Sequence, residues 1–287
     1  METMDAALSG CHPPIYCLRE IVHNRQVVES FKRRGVVFVQ SLDDIPAGAT
    51  VVFSAHGIPP SVGMTAKKRR LRVVDATCPF VTRVHSAVRL HARRGFTVIM
   101  IGHRNHDEVI GVVGEAPDHV VVVENEAEAR AITVSDAGRV AVVTQTTLSH
   151  LETERVRSVL RERFPAIEGQ PGDDVCYATL NRQESALKLA SLCDRVLVLG
   201  SRNSSNTNRL AEVAGSTGKP ADIVSEVREL DSIPLGEVSD LGITAGASTP
   251  DEFVAEIVKR LKDAGFDEVE EMPAVAEDFR FQLPQMG

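Results

Sequence analysis

The stretch Ala92 to Glu108, ARRGFTVIMIGHRNHDE, holds in one run the features that decide the fold. Two arginines and a glycine close a helix: cations suit its negative C-terminal end, and Gly supplies the left-handed cap. An almost unbroken apolar run follows, FTVIMI, too continuous for a sheet with one face in water. The run then stops in Gly, His, Asn and Asp.

Working outward, the pattern recurs. Lys32-Arg33-Arg34-Gly35 leads into VVFV, so a weak repeat of helix, basic cap and strand is expected. Similar runs at Val36–Val39, Val51–Phe53, Val98–Ile101, Val120–Val123, Val140–Val143 and Val196–Leu199 read as buried strands. Between them Asn24–Arg34, Pro79–Arg94, Ser149–Phe164, Arg182–Cys193 and Pro250–Ala264 read as helices. The fold class is α/β, with mostly parallel sheets covered by helices. Glu168–Asp174 (EGQPGDD) reads as a linker and Cys78–Pro79 as a boundary. Three α/β units are therefore expected, 1–78, 79–173 and 174–270, with a tail at 271–287 in which FRFQLP reads as a closing strand.

Composition narrows the function. The net charge of −8 repels phosphate backbones, and aromatics at 4% with no Trp leave few rings for stacking bases, so nucleic acid is not the expected partner. No apolar run nears the roughly 20 residues of a membrane span, and the first residues lack a secretory pattern, so a cytoplasmic location is expected. The five cysteines, 11, 17, 78, 176 and 193, are odd in number and spread out. They read as reduced thiols, some of them metal ligands, rather than a disulfide framework.

Polar clusters recur where strands end: Ser54, His56 and Gly57; His103, His106 and Glu108; Thr144 to Thr147; Ser201 to Asn206; Thr244, Ser248 and Thr249. Open α/β sheets bind ligands beyond their carboxyl edges, and the helix N-termini that follow favour anions. Each loop alone could be ordinary N-capping; their repetition with histidines points to a phosphate cage. Cys78 and Cys176 stand at similar junctions, where thiolates are favoured, although their spacing alone proves no metal site. His85 and His91 do not share a helix face as a metal pair would and read as surface or packing residues; His103 could support the pocket, and His12, His119 and His150 carry no signal. Cys17 and Cys193 read as core. The KKRRLR run, 67–72, reads as a solvated helix end or as a docking patch for an acidic electron donor.

From about residue 13 to 270 these segments resemble the 4-hydroxy-3-methylbut-2-enyl diphosphate reductase family. The resemblance is carried by EIVHNRQVV, VVFSAHG, VVDATCPFVTRVH, VTQTTLS, DDVCYATLNRQE, GSRNSSNTNRL and TAGASTPD. It implies a cloverleaf of three units around an oxygen-sensitive 4Fe-4S cluster. It also implies reduction of a small diphosphate to isopentenyl and dimethylallyl diphosphates, with ferredoxin or flavodoxin as electron donor. Cys78 and Cys176 match two cluster ligands. His23, His56, His106, Ser204, Ser205, Asn206 and Ser248 match the diphosphate pocket, Glu108 the proton source, and Thr146 a residue that orients substrate and proton.

The family's first cluster cysteine lies in a Gly-Phe-Cys-Ala-Gly-like loop ahead of a helix whose final turns resemble METMDAAL. Three explanations stand: a start assigned too late, a short paralogue that binds diphosphate without turnover, or substitution by Cys11 or Cys17. Asp107 stands where the family usually has Pro, and Thr249 where Ala or Ser is more common. A zinc-bound structural protein is the weaker rival, because close ligand pairs are lacking.

Overall fold

The computed structural model describes residues 1–169 and 177–272. They form two compact units, one of residues 1–21 and 30–169 and the other of 22–29 with 177–272.

In the first unit, helix α1 (Glu2–Gly10) precedes strand β1 (Ile15–Leu18). β2 (Val36–Val39), β3 (Thr50–Phe53), helix α3 (Pro60–Lys68) and β4 (Arg72–Asp75) follow, while α2 (Arg25–Arg33), before β2, lies largely in the second unit. The four strands make a parallel sheet in the order β2-β1-β3-β4, with Ile15 opposite Val36 on one side and Thr50 on the other. The same unit continues through α4 (Pro79–Arg93), β5 (Thr97–Ile101), α5 (Asp107–Val113) and β6 (Val120–Val123). It goes on with α6 (Glu126–Ala131), β7 (Val140–Thr144), α7 (His150–Arg163) and β8 (Glu168–Gly169), giving a second parallel sheet ordered β6-β5-β7-β8.

The second unit holds α8 (Tyr177–Leu192), β9 (Arg195–Leu199), α9 (Ser205–Gly215), β10 (Ala221–Val224), β11 (Leu241–Ala245) and α10 (Asp251–Asp263). Its strands form a parallel sheet ordered β10-β9-β11. The described residues are thus α/β with three parallel sheets.

The central apolar strands have the cause inferred from sequence, whereas β2 and β6, also read as buried, lie at sheet edges with Val37 and Val121 exposed. On β5, Val98 and Met100 pack with Val84 and Val88 of α4, whereas Ile99 and Ile101 pack on the other face with Val156 and Leu160 of α7. Alternate residues point to opposite faces, and each face has its own core. β9 repeats this, with Val196 and Val198 in one cluster and Leu197 and Leu199 in another. Burying each such side chain stabilises the fold by roughly 1.5–3 kcal/mol. The glycine caps are also as expected: Gly35 and Gly95 have φ of 94° and 77°.

Some local expectations change. Glu168 and Gly169, read as linker, pair with Ala141 and Val142 at a sheet edge. Residues 170–174 of that stretch, and the FRFQLP tail, lie outside the described residues. Helix α8 begins at Tyr177, five residues before the charged stretch that suggested Arg182. Cys17 is fully buried in β1, whereas Cys193, expected in the core, is only partly buried after α8. Arg69, within the basic run, is tied to the 42–45 loop through the carbonyl of Leu42, that of Ile45 (2.6 Å) and the carboxylate of Asp43 (3.0 Å).

The strand orders decide where a site can form. Each sheet starts on a central strand, adds its second strand to one side, and then returns to the other. The reversals lie between β1 and β3, β5 and β7, and β9 and β11, and each opens a crevice at the carboxyl ends of those strands.

Candidate active site

The polar clusters read from sequence fall at these crevices. Beyond β3, Ser54 is buried, and its hydroxyl lies 3.4 Å from Nδ1 of His56. Beyond β5, His106 is the N-cap of α5, and its Nδ1 accepts from the backbone N–H of Glu108 at 3.2 Å. That fixes the neutral ring with its proton on Nε2, the tautomer that can donate to an anion. The rings of His56 and His106 meet edge to face with centroids 5.5 Å apart.

Glu108, in the first turn of α5, is 1% exposed. Thr146, beyond β7, supplies both of its oxygens: the backbone N–H donates to Oε1 at 2.7 Å and the hydroxyl to Oε2 at 2.9 Å. A buried carboxyl is costly unless hydrogen-bonded; Thr146 meets that need and fixes its plane. Gln145 ties the two loops together by accepting from the N–H of His103 at 3.1 Å and donating to the hydroxyl of Thr147 at 2.9 Å.

Asp107, between the capping histidine and the buried carboxyl, forms an ion pair with Arg19 at the end of β1. Arg19 has φ of 62°, a left-handed conformation that is uncommon outside glycine. Sequence gave no sign of this pair, because its partners come from different sheets.

Cys78 is a partly exposed cysteine, outside any disulfide, at the N-cap of α4. There the helix dipole favours the thiolate, the form that holds iron. Cys17 does not suit that role, because it is fully buried within β1, and the same burial pushes its thiol up to about 12. Cys176, the other expected ligand, lies outside the described residues. Among the described residues no cysteine belongs to a group of three or more possible metal ligands. The described chain therefore fits an iron–sulfur cluster at one position and does not by itself make a ligand set.

In the second unit, Ser204 caps α9 by accepting from the N–H of Thr207 at 3.3 Å, a role that uses its oxygen as acceptor and not its hydroxyl proton. Ser205 begins the helix, and next to it Asn206 is 9% exposed with both polar atoms of its amide lacking a partner. An orphaned buried amide at a helix N-terminus suits a bound anion. His23 and Ser248 are partly buried. Asn24, adjacent to His23, went unread as a site residue. Its Oδ1 accepts from the N–H groups of Gln26 (3.0 Å) and Val27 (3.2 Å) at the start of α2, and its Nδ2 donates to the carbonyl of Ser248 at 2.9 Å. An Asn ahead of a helical run is an N-cap signal; its second bond is long-range and left no trace in the pattern.

His85 and His91, set aside from sequence, are both buried, 5% and 8% exposed. They lie on the face of α4 that carries Val81, Val84 and Val88, and helical spacing was the available signal. Burial is the main cause that pulls the pKa of His91 down; Arg94 adds to it and Glu168 opposes it.

The family model described as LytB protein matches residues 1–262. The 4-hydroxy-3-methylbut-2-enyl diphosphate reductase of Acidothermus cellulolyticus is 45% identical over 99% of this chain and 84% of its own length. The enzyme of the same name from Rhodococcus opacus is 46% identical over 99% of this chain and 85% of its own. Among solved structures, the E-1-hydroxy-2-methyl-but-2-enyl-4-diphosphate reductase of Plasmodium falciparum superposes with a TM-score of 0.95 at 35% identity, covering 99% of this chain and 90% of that one. On family match, identity and fold together, the chain belongs to the LytB family.

Proposed function

We propose that the protein is an iron–sulfur reductase that removes the hydroxyl of (E)-4-hydroxy-3-methylbut-2-enyl diphosphate, giving isopentenyl and dimethylallyl diphosphates at the end of the methylerythritol phosphate route. The observation that carries this reading is Glu108, a buried carboxyl held by Thr146 beside His106 and at the mouth of a β5/β7 crevice. Family membership supplies the substrate class.

The reaction breaks an allylic C–O bond: the alcohol, two electrons and two protons give the alkene and water. Glu108 donates a proton to the departing oxygen, since a leaving hydroxide must be protonated and a carboxylic acid within reach is suited to it. The Thr146 hydroxyl can donate or accept, so it keeps its bond to Glu108 in either protonation state and orients the acid. His23, His56 and His106, with Ser204, Ser205, Asn206 and Ser248, hold the diphosphate through ring N–H, amide and hydroxyl donors. A 4Fe-4S cluster with Cys78 and Cys176 among its ligands would supply the electrons at the reacting carbon.

The electron donor is an acidic carrier, ferredoxin or flavodoxin. Lys67, Lys68, Arg70 and Arg72 are exposed together at the end of α3 and the start of β4, which supports an opposite-charge docking face. Among the described residues no helix is long and apolar enough to cross a membrane, and the proposed setting is the cytoplasm.

The test is anaerobic incubation of the iron-loaded chain with the hydroxymethylbutenyl diphosphate and a chemical reductant. Appearance of both alkenyl diphosphates is expected. Binding without turnover in a fully loaded protein would favour the diphosphate-binding paralogue instead.

A further inference from the structure

His85 has no part in the chemistry above, yet it sits where the two halves of the first unit's site meet. Its Nδ1 donates to Oε1 of Glu115 at 2.7 Å, and Arg89 donates to the same oxygen at 2.7 Å. The carboxylate is 6% exposed and already has a cation, so the ring is anchored within a satisfied pair. The other ring nitrogen, Nε2, is buried with no hydrogen-bond partner.

That unpartnered edge faces two glycines. A Cβ on Gly57 would lie 2.8 Å from Nε2 of His85, and one on Gly111 would lie 3.3 Å from its Cε1. The Gly111 Cβ would also lie 3.4 Å from the backbone carbonyl carbon of Gly57, so the two backbones pack directly on each other with the ring across both. Gly57 has φ of 79° and directly follows His56; Gly111 lies one turn after Glu108 in α5. A second contact reinforces the joint, since a Cβ on Gly114 would lie 2.5 Å from Cβ of Pro59. Burying a ring nitrogen unpaired is unfavourable; the bond to Glu115 holds the opposite edge of the ring, so it is the packed Nε2 edge that meets the two segments.

We infer that His85 is a positioning residue: anchored by Glu115, its ring keys the loop bearing His56 onto the helix bearing His106 and Glu108. This rests on the proposed roles of those residues. Without the ring, the loop and the helix lose their common spacer, and the acid and the anion-binding histidines no longer hold one registration. Displacements of about 1 Å at a reacting centre can cost on the order of a hundredfold in rate.

The experiment compares wild-type protein with His85→Ala and His85→Asn. Asparagine keeps a donor for Glu115 and removes the part of the ring that covers the glycines. Two readouts are taken: kcat and KM per loaded cluster, and ring nitrogen NMR signals of His56 and His106 in metal-free protein labelled with 15N-histidine. The expected result for both variants is a fall in kcat of about 10- to 100-fold with a smaller change in KM, and displaced signals for His56 and His106 with that of His119 unmoved. A role confined to folding would lower the loaded fraction and leave kcat per cluster intact. Wild-type kcat and unmoved His56 and His106 signals in folded His85→Asn would overturn the inference, even if His85→Ala failed to fold. If wild-type protein itself does not reduce the substrate, the proposed function fails, while the NMR comparison still decides whether His85 positions the two segments.

Discussion

Both carboxyl oxygens of Glu108 are engaged by one residue, Thr146, through its backbone N–H at 2.7 Å and its hydroxyl at 2.9 Å. The backbone bond follows from where β7 ends, and no substitution at 146 other than proline removes it. The hydroxyl bond is a property of the side chain. Thr146→Val should therefore lower kcat by about 10- to 100-fold, the value of one hydrogen bond to a charged group, while Thr146→Ser keeps most of the rate. Steady-state kinetics of the loaded proteins check this; equal rates for Val and Thr would remove the hydroxyl from the account.

Asp107 stands where the resembled family usually has proline, and the geometry explains the tolerance. It is the first residue of α5, a position where proline fits because the missing N–H has no partner within the helix. Here the ion pair with Arg19 holds the same segment instead. Asp107→Pro is expected to retain activity, and Arg19→Ala to cost at most about 1 kcal/mol, because the pair is partly exposed. Urea unfolding of the two variants, with turnover measured alongside, tests both statements.

His91 makes stability depend on pH. Its folded-state pKa lies below the ordinary 6.5, so just below that pH the unfolded chain binds a proton more readily than the folded one. Its contribution is fully present above pH 6.5, declines as pH falls through the window just beneath, and levels off once both states are protonated. His91→Gln should flatten that part of the curve, as read by denaturant midpoints across the range.

Cys17 and Cys78 should differ in reactivity. The Cys17 thiol is buried in β1 and pushed up to about 12, so almost no thiolate forms at neutral pH. In native metal-free protein, iodoacetamide should label Cys78 and spare Cys17 until denaturant is added. Rapid native labelling of Cys17 would reopen it as a replacement ligand.

The fold was legible wherever both faces of a strand are covered. VAVV at 140–143 and VLVL at 196–199 could hardly be anything but buried parallel strands, and their bounds fall within a residue of the expectation; VVVV at 120–123 pairs as expected but lies at a sheet edge with Val121 exposed. β8 escaped because two residues, one of them charged, carry no periodicity. Glu108 and Thr146 were legible because chemistry collects where strands end, and because their segments resemble a known family. Asn24, Arg19 and the buried face of His85 were not, since each acts through a partner far away in sequence.

The central claim is that Glu108 supplies the proton that lets the hydroxyl leave. Glu108→Gln tests it cleanly, because the amide can keep both bonds to Thr146: its oxygen accepts from the N–H, and its NH2 group donates to the hydroxyl. The measurement is formation of isopentenyl and dimethylallyl diphosphates by equally iron-loaded wild-type and variant protein under anaerobic conditions. A loss of about 10²- to 10⁴-fold with substrate binding preserved is expected for a missing general acid. Undiminished product formation by the variant would contradict the account.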